Sequence, residues 1–253
     1  RPPPITPRDW IRRQRLLCIR DWGVVGGAPL GLTDLLVPSP ARWGGEVGAG
    51  AAGGGRGQIP RSALLHGFEG TVPMRIIAGS AKGRRLVSPP GGDTRPLTGR
   101  AKEALFSSLG ERVVDADVVD LYAGTGSIGL EALSRGARRV VFVEKGRAAL
   151  NSLGRNIESV GLGGEVYRED VAAFLARSRD AFDLAFVDPP YSVPLASLGT
   201  VLEQLAPRLS NGATVVVHRR YGGEPLAAPP GLVATDRRRY GDTELWRFEK
   251  ENA

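Results

Sequence analysis

The sequence predicts an α/β fold in which a mostly parallel, seven-stranded sheet ends in an antiparallel hairpin. Between residues 117 and 218, short apolar runs alternate with helical patterns. This order is typical of a parallel sheet with helices on both faces, because crossovers between parallel strands are right-handed. After residue 218 the pattern changes, and two β-rich runs, 232–240 and 243–248, are joined by Gly241-Asp242. That pattern indicates a hairpin at the edge of the sheet.

The elements of the alternating region follow one another in a regular order. Strands are predicted where apolar and β-branched residues cluster, and helices where apolar residues recur every three or four positions. The predicted strands are 117–122, 139–144, 165–168, 182–188 and 213–218. The predicted helices between them are 128–134, 147–160, 171–177 and 195–209.

The composition limits the classes of function. Of the 253 residues, 42% are hydrophobic, and no apolar run approaches the roughly 18 to 20 residues of a membrane helix. The one cysteine, Cys18, excludes an internal disulfide and a cysteine-based zinc site, and with only two histidines we expect no metal. The net charge of +7 and a pI near 10.0 suggest a polyanionic partner. We expect a soluble, cytoplasmic monomer.

Residues 1–73 differ from the rest of the chain. They are rich in glycine and proline, with runs such as 48–55, and a packed core is not expected from that composition. Regular patterning starts at Met74, the only methionine. We therefore expect a disordered extension over 1–73, a hairpin and helix over 74–112, and a cofactor-binding domain over 113–253.

A basic segment opens the patterned region. Runs at 75–79 and 84–87 flank a turn at 81–83, which predicts a hairpin, and Thr98 is a suitable N-cap for the helix that follows. We interpret the basic side chains here as contacts to nucleic-acid phosphates, with a solvated surface as the alternative. They are Lys82, Arg84, Arg85, Arg95, Arg100 and Lys102.

A glycine-rich turn follows the first strand of the alternating region. Residues 124–129 match the G-x-G-x-x-G fingerprint, and Glu144 lies where a ribose-binding acid is expected. Taken alone, this pattern predicts a nicotinamide dinucleotide. S-adenosylmethionine is the rival, and Asp120 favours it, because a carboxylate there suits a cationic amino group and repels a pyrophosphate. Asp170 is placed for an adenine amino group, and capping is the alternative role of Asp120 and Asp170.

The tetrapeptide Asp188-Pro189-Pro190-Tyr191 follows the fourth strand. Its two proline rings fix φ and remove N–H groups, so the loop is stiff and lies where open α/β sheets bind ligands. It presents a carboxylate, the Pro189 carbonyl and an aromatic ring, which together suit a planar base that carries an exocyclic amino group. A proline-rich turn without further function is the alternative. His218, at the end of the fifth strand, is interpreted as a satisfied core or rim histidine rather than a proton shuttle.

Six motifs taken together resemble a known family. They are Met74-Arg75-Ile76-Ile77-Ala78-Gly79, Asp93-Thr94-Arg95-Pro96, Asp120-Leu121-Tyr122-Ala123-Gly124-Thr125-Gly126, Val143-Glu144-Lys145, Phe186-Val187-Asp188-Pro189-Pro190-Tyr191 and Tyr240-Gly241-Asp242-Thr243. This set is similar to the bacterial RsmD family of class I, S-adenosylmethionine-dependent methyltransferases, which modify the exocyclic N2 of one guanine in 16S ribosomal RNA. The resemblance covers residues 74–253 and none of 1–73.

The resemblance implies a Rossmann-like fold, S-adenosylmethionine as the cofactor, and 16S ribosomal RNA in assembled small subunits as the substrate. It also implies that Asp120, Gly124 and Gly126 line the methionine end of the cofactor, that Glu144 holds the ribose and that Asp170 reads the adenine. The full expected cofactor site is Asp120, Ala123, Gly124, Thr125, Gly126, Glu144, Lys145, Asp170 and Val171. The expected catalytic residues are Asp188, Pro189 and Tyr191. The expected RNA-binding residues are Lys82, Arg84, Arg85, Arg95 and Arg100.

Other functions stay open at this point. A methyltransferase that acts on an adenine or cytosine amino group in DNA would carry similar motifs. Enzymes that methylate a glutamine side chain usually have Asn in place of Asp188, which argues against that substrate. In different classes, the alternatives are a nicotinamide-dependent oxidoreductase and a nucleic-acid-binding module with a degenerate cofactor pocket.

Overall fold

A computed structural model of the chain describes residues 74–89 and 97–252. The expectations for residues 1–73 and for Arg95 lie outside these ranges. Within them, none of the helices combines the length and the apolar character that a membrane crossing requires.

The centre of the molecule is a seven-stranded sheet with the strand order β3-β2-β1-β4-β5-β7-β6. β7 runs antiparallel to both of its neighbours, and the other adjacent strands are parallel. The predicted fold class is therefore confirmed. The strands are β1 (Asp117–Leu121), β2 (Arg139–Val143), β3 (Glu165–Tyr167), β4 (Phe182–Val187), β5 (Leu209–Arg220), β6 (Leu232–Tyr240) and β7 (Thr243–Lys250).

Five α-helices accompany these strands in the described ranges. Thr98 caps the first, since its hydroxyl oxygen accepts a hydrogen bond from the Ala101 N–H at 3.3 Å. Gly161 ends the third in the left-handed conformation, with φ of 74°, which glycine adopts at little cost. The helices are α1 (Gly99–Leu109), α2 (Ser127–Ser134), α3 (Arg147–Val160), α4 (Val171–Arg177) and α5 (Leu195–Leu205).

Helices cover both faces of the sheet, and the alternation of side chains along the strands separates the two cores. Val118 belongs to the core that contains Phe106 of α1 and Leu153 of α3. Its neighbour Val119 belongs to the opposite core, which contains Phe174 of α4. Successive side chains of a strand point to opposite faces, so β1 contributes to both cores. From β1 the strand order runs one way to β2 and β3 and the other way to β4 and β5. Where the order reverses, between β1 and β4, a crevice opens at the carboxyl ends of the strands.

The helix predicted over 195–209 is too long. The α-helix ends at Leu205, a 3₁₀ turn spans Ala206–Arg208, and β5 begins at Leu209. Pro207 explains the difference, because its ring has no N–H to donate to the preceding turn of an α-helix. β5 is correspondingly longer than the predicted strand.

The hairpin predicted near Met74 forms only in part. Arg75 and Arg85 make one antiparallel bridge, and the Leu86 N–H donates to the Met74 carbonyl at 2.7 Å. The strands are shorter than predicted because the chain turns away after Ile76. The N–H groups of the next two residues donate to the Glu131 carboxylate of α2 instead of to a facing strand.

Candidate active site

A cavity of about 700 Å³ opens at the carboxyl ends of the parallel strands. Each of five neighbouring strands ends beside it and contributes a polar side chain to its wall, since the carboxyl ends of parallel strands share one edge of the sheet. In the order of the sheet, from β3 to β5, these side chains are Asp170, Glu144, Asp120, Asp188 and His218.

The turn that joins β1 to α2, residues 122–126, borders this cavity, which residues 122–125 line; we call it the cofactor turn. Tyr122 has φ of 60°, a left-handed conformation that is uncommon for a residue with a large side chain. This conformation redirects the chain, so that the Ala123 N–H donates to the Val143 carbonyl at the end of β2 at 3.0 Å. Ala123, Gly124 and Thr125 then line the cavity, and their contact with a cofactor stays a prediction.

Gly126 is the one expected cofactor residue that does not line the cavity. It is buried with φ of 76° and forms the N-cap of α2. A Cβ atom on Gly126 would lie 2.4 Å from Cδ1 of Leu153, so this position needs glycine for backbone conformation and for packing against α3. That Gly126 lines the methionine end of a cofactor stays a prediction.

Glu144 ties the end of β2 to the cofactor turn. One carboxylate oxygen accepts a hydrogen bond from the Gly124 N–H at 2.8 Å, and the other accepts from the Gly146 N–H at 2.6 Å. Each carboxylate oxygen has a second lone pair, so Glu144 retains capacity to accept from the hydroxyl groups of a ribose. Its side chain thus shapes the turn and faces the cavity at the same time.

Asp120 is only 1% exposed, and one of its carboxylate oxygens accepts from the Gly129 N–H of α2 at 2.9 Å. Burial raises the pKa of Asp120 well above its ordinary value, and the nearby carboxylates of Asp188 and Glu144 raise this pKa further. The capping alternative is therefore correct for one of its oxygens. The same carboxyl group also lines the cavity. A cationic group bound there would stabilise the ionised form of Asp120, which burial disfavours.

Asp170 and Lys145 pair at the other end of the cavity. Lys145 Nζ donates to Asp170 at 2.8 Å, and the second oxygen of Asp170 caps α4 by accepting from the Ala172 N–H at 3.0 Å. The hydrogen bond from Lys145 lowers the pKa of Asp170, and the Ala172 N–H lowers it further. Asp170, Lys145 and Val171 all line the cavity. The capping alternative is therefore correct for one oxygen of Asp170, and its role toward an adenine stays a prediction.

The Asp-Pro-Pro-Tyr loop, residues 188–191, lies directly beyond β4. The Asp188 N–H extends the strand by donating to the Leu121 carbonyl at 3.2 Å, and the Pro190 carbonyl accepts from Val193 to close a turn. In the described ranges no donor reaches the carbonyl of Pro189, which lines the cavity. Tyr191 lines the rim and is 39% exposed, so its ring is accessible for stacking.

His218 makes a hydrogen bond to this loop, and the sequence did not predict this contact. It is buried and hydrogen-bonded, as interpreted, but its partner is the expected catalytic acid, because Nδ1 lies 2.5 Å from Oδ1 of Asp188. The register of the two parallel strands β4 and β5 could have revealed this contact. Val187 of β4 pairs with Val217 of β5, so the residues that follow them are neighbours once the two strands are known to be adjacent.

Residues 74–89, the N-terminal segment, contribute a further wall that sequence reasoning missed. Met74 and Ser88 line the cavity, and the buried Asn156 of α3 holds this wall in place. The Asn156 side chain accepts from the Val87 N–H at 2.7 Å and donates to the Val87 and Thr125 carbonyls at 3.0 and 2.9 Å. One amide group therefore fastens the N-terminal segment to the cofactor turn.

A buried ion pair joins α1 to α2, and its carboxylate also holds the N-terminal segment. Lys102 is 2% exposed and lies 3.4 Å from the carboxylate of Glu131, which is fully buried and also accepts from the Ile77 and Ala78 N–H groups. Lys102 therefore does not belong to a basic surface, which corrects its assignment to the basic group. Burial lowers the pKa of Lys102, although Glu131 opposes this shift.

The other residues that were expected to bind RNA and that the structure describes are exposed. None of them lines the main cavity, and Arg100 lines a separate cavity of about 350 Å³ beside the β6–β7 turn. Arg95 lies outside the described residues. The exposed side chains are Lys82, Arg84, Arg85 and Arg100.

The donors and acceptors of the main cavity fit S-adenosylmethionine. Asp120 offers a buried carboxylate to an ammonium group, and Glu144 offers acceptors to a ribose. A dinucleotide pyrophosphate would instead meet carboxylates on both sides of the cofactor turn, which disfavours it. Among the residues that the structure describes, no cluster of three or more His, Cys, Asp or Glu side chains could hold a metal ion.

Comparison with known proteins agrees with this geometry. A model of the family described as Conserved hypothetical protein 95 matches residues 74–249. YlbH of Bacillus subtilis (strain 168) is 34% identical over 183 residues, which cover 70% of this chain and 99% of that protein. Ribosomal RNA small subunit methyltransferase D of Escherichia coli (strain K12) is 38% identical over 123 residues, which cover 48% of this chain and 62% of that protein.

The likeness extends to solved structures. The structure of yhhF from Escherichia coli has a TM-score of 0.63 and 32% sequence identity, and the match covers 71% of this chain and 98% of that one. The family model thus spans every residue that lines the main cavity. The chain belongs to the Conserved hypothetical protein 95 family, which is the RsmD family of S-adenosylmethionine-dependent methyltransferases.

Proposed function

We propose that this protein transfers a methyl group from S-adenosylmethionine to the exocyclic N2 of one guanine in 16S ribosomal RNA, within assembled small subunits. The name of the Escherichia coli relative supports ribosomal RNA of the small subunit as the substrate. One observation carries the choice of an amino group. Asp188 and the Pro189 carbonyl offer two acceptors on the same cavity wall as the cofactor turn.

The two acceptors address the weak nucleophilicity of an aryl amine. The lone pair of such a nitrogen is delocalised into the ring, which makes the group planar. If Asp188 and the Pro189 carbonyl each accept one N–H, the nitrogen moves toward tetrahedral geometry and its lone pair points toward the cofactor. Alignment then supplies much of the reduction in barrier.

The overall transfer conserves atoms and charge. S-adenosylmethionine, when bound, supplies a methyl group on a sulfonium, and its loss leaves a neutral thioether. The nitrogen gains a C–N bond and releases one proton, which Asp188 or water accepts. Pro189 contributes only through its carbonyl oxygen and takes no proton.

Tyr191 lies at the rim of the cavity, where a base must enter. A base inside a helix or a stacked loop cannot reach the cofactor, so it has to be unstacked first. Stacking on an aromatic ring returns about 1 to 3 kcal/mol per base. The half-exposed ring of Tyr191 suits this contact.

We also propose that two parts of the chain bind different parts of the substrates. The hairpin and helix within 74–112 contact RNA phosphates through Lys82, Arg84, Arg85 and Arg100, with Arg95 as a further contact expected from the sequence. The domain over 113–253 binds the cofactor and the target base. These basic side chains are exposed, and Met74 and Ser88 of the N-terminal segment line the main cavity, which supports this division.

The experiment is methyl transfer to small subunits isolated from cells that lack the protein, followed by nuclease digestion and mass spectrometry of the RNA. We expect one N2-methylguanosine, and expect Asp188→Ala to lower kcat by about 100-fold with little change in the affinity for S-adenosylhomocysteine. Glu203→Gln, at an exposed position on α5, is the control. A methyl group on adenine or cytosine would refute the guanine assignment.

The cofactor has a test of its own. Isothermal titration with S-adenosylhomocysteine and with NADH compares the two candidates directly. Binding of S-adenosylhomocysteine alone is expected. Binding of NADH would instead support an oxidoreductase, and binding of neither would support a nucleic-acid-binding module.

A further inference from the structure

We propose that His218 is a positioning residue for methyl transfer. It donates Nδ1–H to Oδ1 of Asp188 and so leaves the other carboxylate oxygen to accept from the substrate amino group. This inference rests on the proposed function, because it assigns a role within the same site. No part of it depends on which base is methylated.

The geometry of the pair is that of a short, enclosed hydrogen bond. Nδ1 of His218 lies 2.5 Å from Oδ1 of Asp188, and His218 is only 3% exposed. The Asp188 side chain is 28% exposed, so one side of its carboxylate faces the cavity while the other meets the imidazole. The parallel register of β4 and β5 brings the two residues together, independently of any ligand.

The chemistry of the contact determines which nitrogen carries hydrogen. An ionised carboxylate only accepts hydrogen bonds, so a contact of this length requires hydrogen on Nδ1. In the neutral imidazole, Nε2 is then an acceptor. The Thr243 hydroxyl lies 3.4 Å from it and can donate from the first residue of β7. The imidazole is therefore held between two strands.

A single fixed hydrogen bond has a large effect on a carboxylate. The terminal torsion of an aspartate side chain is broad, so the plane of an unsupported carboxylate varies. His218 fixes that plane, and the free oxygen then meets the substrate N–H in one orientation. Loss of alignment reduces the rate of a step that depends on positioning.

His218 does not act as the proton acceptor in this arrangement. In the step, a C–N bond forms, an N–H bond breaks, and the proton goes to the free oxygen of Asp188 or to water. Nδ1 already carries hydrogen and faces Oδ1, so it takes no proton from that carboxyl. The role of His218 is thus geometric, and a donor that cannot titrate should replace it.

Two substitutions of different chemistry test this role. In His218→Asn the side-chain NH₂ stands near the position of Nδ1 and still donates, whereas His218→Leu keeps similar bulk without a donor. We expect kcat to fall by about 100-fold in His218→Leu and by only about fivefold in His218→Asn, with little change in KM for the small subunit or in S-adenosylhomocysteine affinity. Equal losses in the two variants would overturn the inference.

A second measurement needs neither cofactor nor RNA. Long-range ¹H–¹⁵N correlation spectra of the imidazoles report which ring nitrogen carries hydrogen. The chain has two histidines, and the spectrum of His218→Asn identifies the signals of His218. Hydrogen on Nδ1 is expected, and a bare Nδ1 would overturn the inference. A wild-type protein that shows this tautomer but methylates no ribosomal RNA would refute the proposed function instead.

Discussion

The carboxylate of Glu144 accepts a hydrogen bond from the Gly124 N–H at 2.8 Å, which joins the end of β2 to the cofactor turn. Its other oxygen is also used, by the Gly146 N–H. We predict that Glu144→Gln leaves one of these N–H groups facing an NH₂ group. The free energy of unfolding should then fall by about 1 to 3 kcal/mol, and S-adenosylhomocysteine should bind more weakly.

Thermal unfolding and isothermal titration measure these two effects of Glu144→Gln. The exposed Glu203→Gln serves as the control and should change neither quantity. Weaker binding without loss of stability would contradict the role assigned to Glu144 in shaping the turn.

Cofactor binding should depend on pH through Asp120. Burial raises the pKa of this carboxyl group, so at acid pH it is protonated and offers no charge to an ammonium group. The affinity for S-adenosylhomocysteine should therefore increase as pH rises through the raised pKa, by at most about tenfold per pH unit, and level off above it. Isothermal titration across the acid to neutral range measures this. In Asp120→Asn the dependence should be much flatter.

The same group has the opposite effect on the stability of the free protein. Asp120 keeps its proton to a higher pH in the folded protein than in the unfolded protein, because folding raises its pKa. The free energy of unfolding should thus decrease as pH rises from the unfolded pKa through the folded one. Denaturant unfolding of the wild type and of Asp120→Asn isolates this contribution, and an increase in stability over that window would contradict it.

Tyr191 should act through its ring rather than through its hydroxyl. We predict that Tyr191→Ala raises KM for the small subunit, consistent with a lost stacking contact of about 1 to 3 kcal/mol. Tyr191→Phe should be close to the wild type. Steady-state kinetics with small subunits compares the two, and a similar defect in both variants would indicate a role for the hydroxyl.

The buried pair of Lys102 and Glu131 should matter for stability. Removing one partner leaves a charge buried without its counterpart, which costs about 3 to 5 kcal/mol. We predict a loss of this order in the free energy of unfolding of Glu131→Gln. The new amide also keeps only one of the two oxygens that accept from the Ile77 and Ala78 N–H groups. Denaturant unfolding measures it, with Glu203→Gln as the control. A loss below about 1 kcal/mol would contradict the assigned importance of the pair.

RNA binding should depend on salt through the exposed basic residues. We predict that Arg84→Ala or Arg85→Ala lowers the slope of log affinity against log salt by about 0.7 to 0.9, the value for one phosphate contact. Arg179→Ala is the matched control, because this arginine is exposed before β4, at the amino end of the sheet. Filter binding to small subunits over a salt series measures the slopes. An equal change in the control would indicate a nonspecific effect of charge.

Much of the fold followed from local patterns. The β/α alternation, the approximate bounds of most strands and the hairpin of β6 and β7 were predicted because each depends on residues close in sequence. The acids at the strand ends were also predictable, since the carboxyl ends of parallel strands share an edge. Asp120, Glu144 and Asp188 therefore lie on one cavity, as expected.

The residues that sequence reasoning missed depend on contacts between distant segments. His218 became recognisable only once β4 and β5 were neighbours in a known register. Lys102 was assigned to a basic surface because a lysine is usually exposed, and its burial depends on Glu131, which lies in a different helix. Asn156 carried no local signal for its contacts to Val87 and Thr125.

The position of β7 between β5 and β6 has a consequence for the order of folding. β6 precedes β7 in the chain but meets the rest of the sheet only through it. During refolding β6 must therefore wait, or form a hairpin with β7 that docks as a unit. If β6 waits, the amide hydrogens of β5 that donate to β7 gain protection from exchange before those of β6, whereas a hairpin that forms first protects β6 earlier.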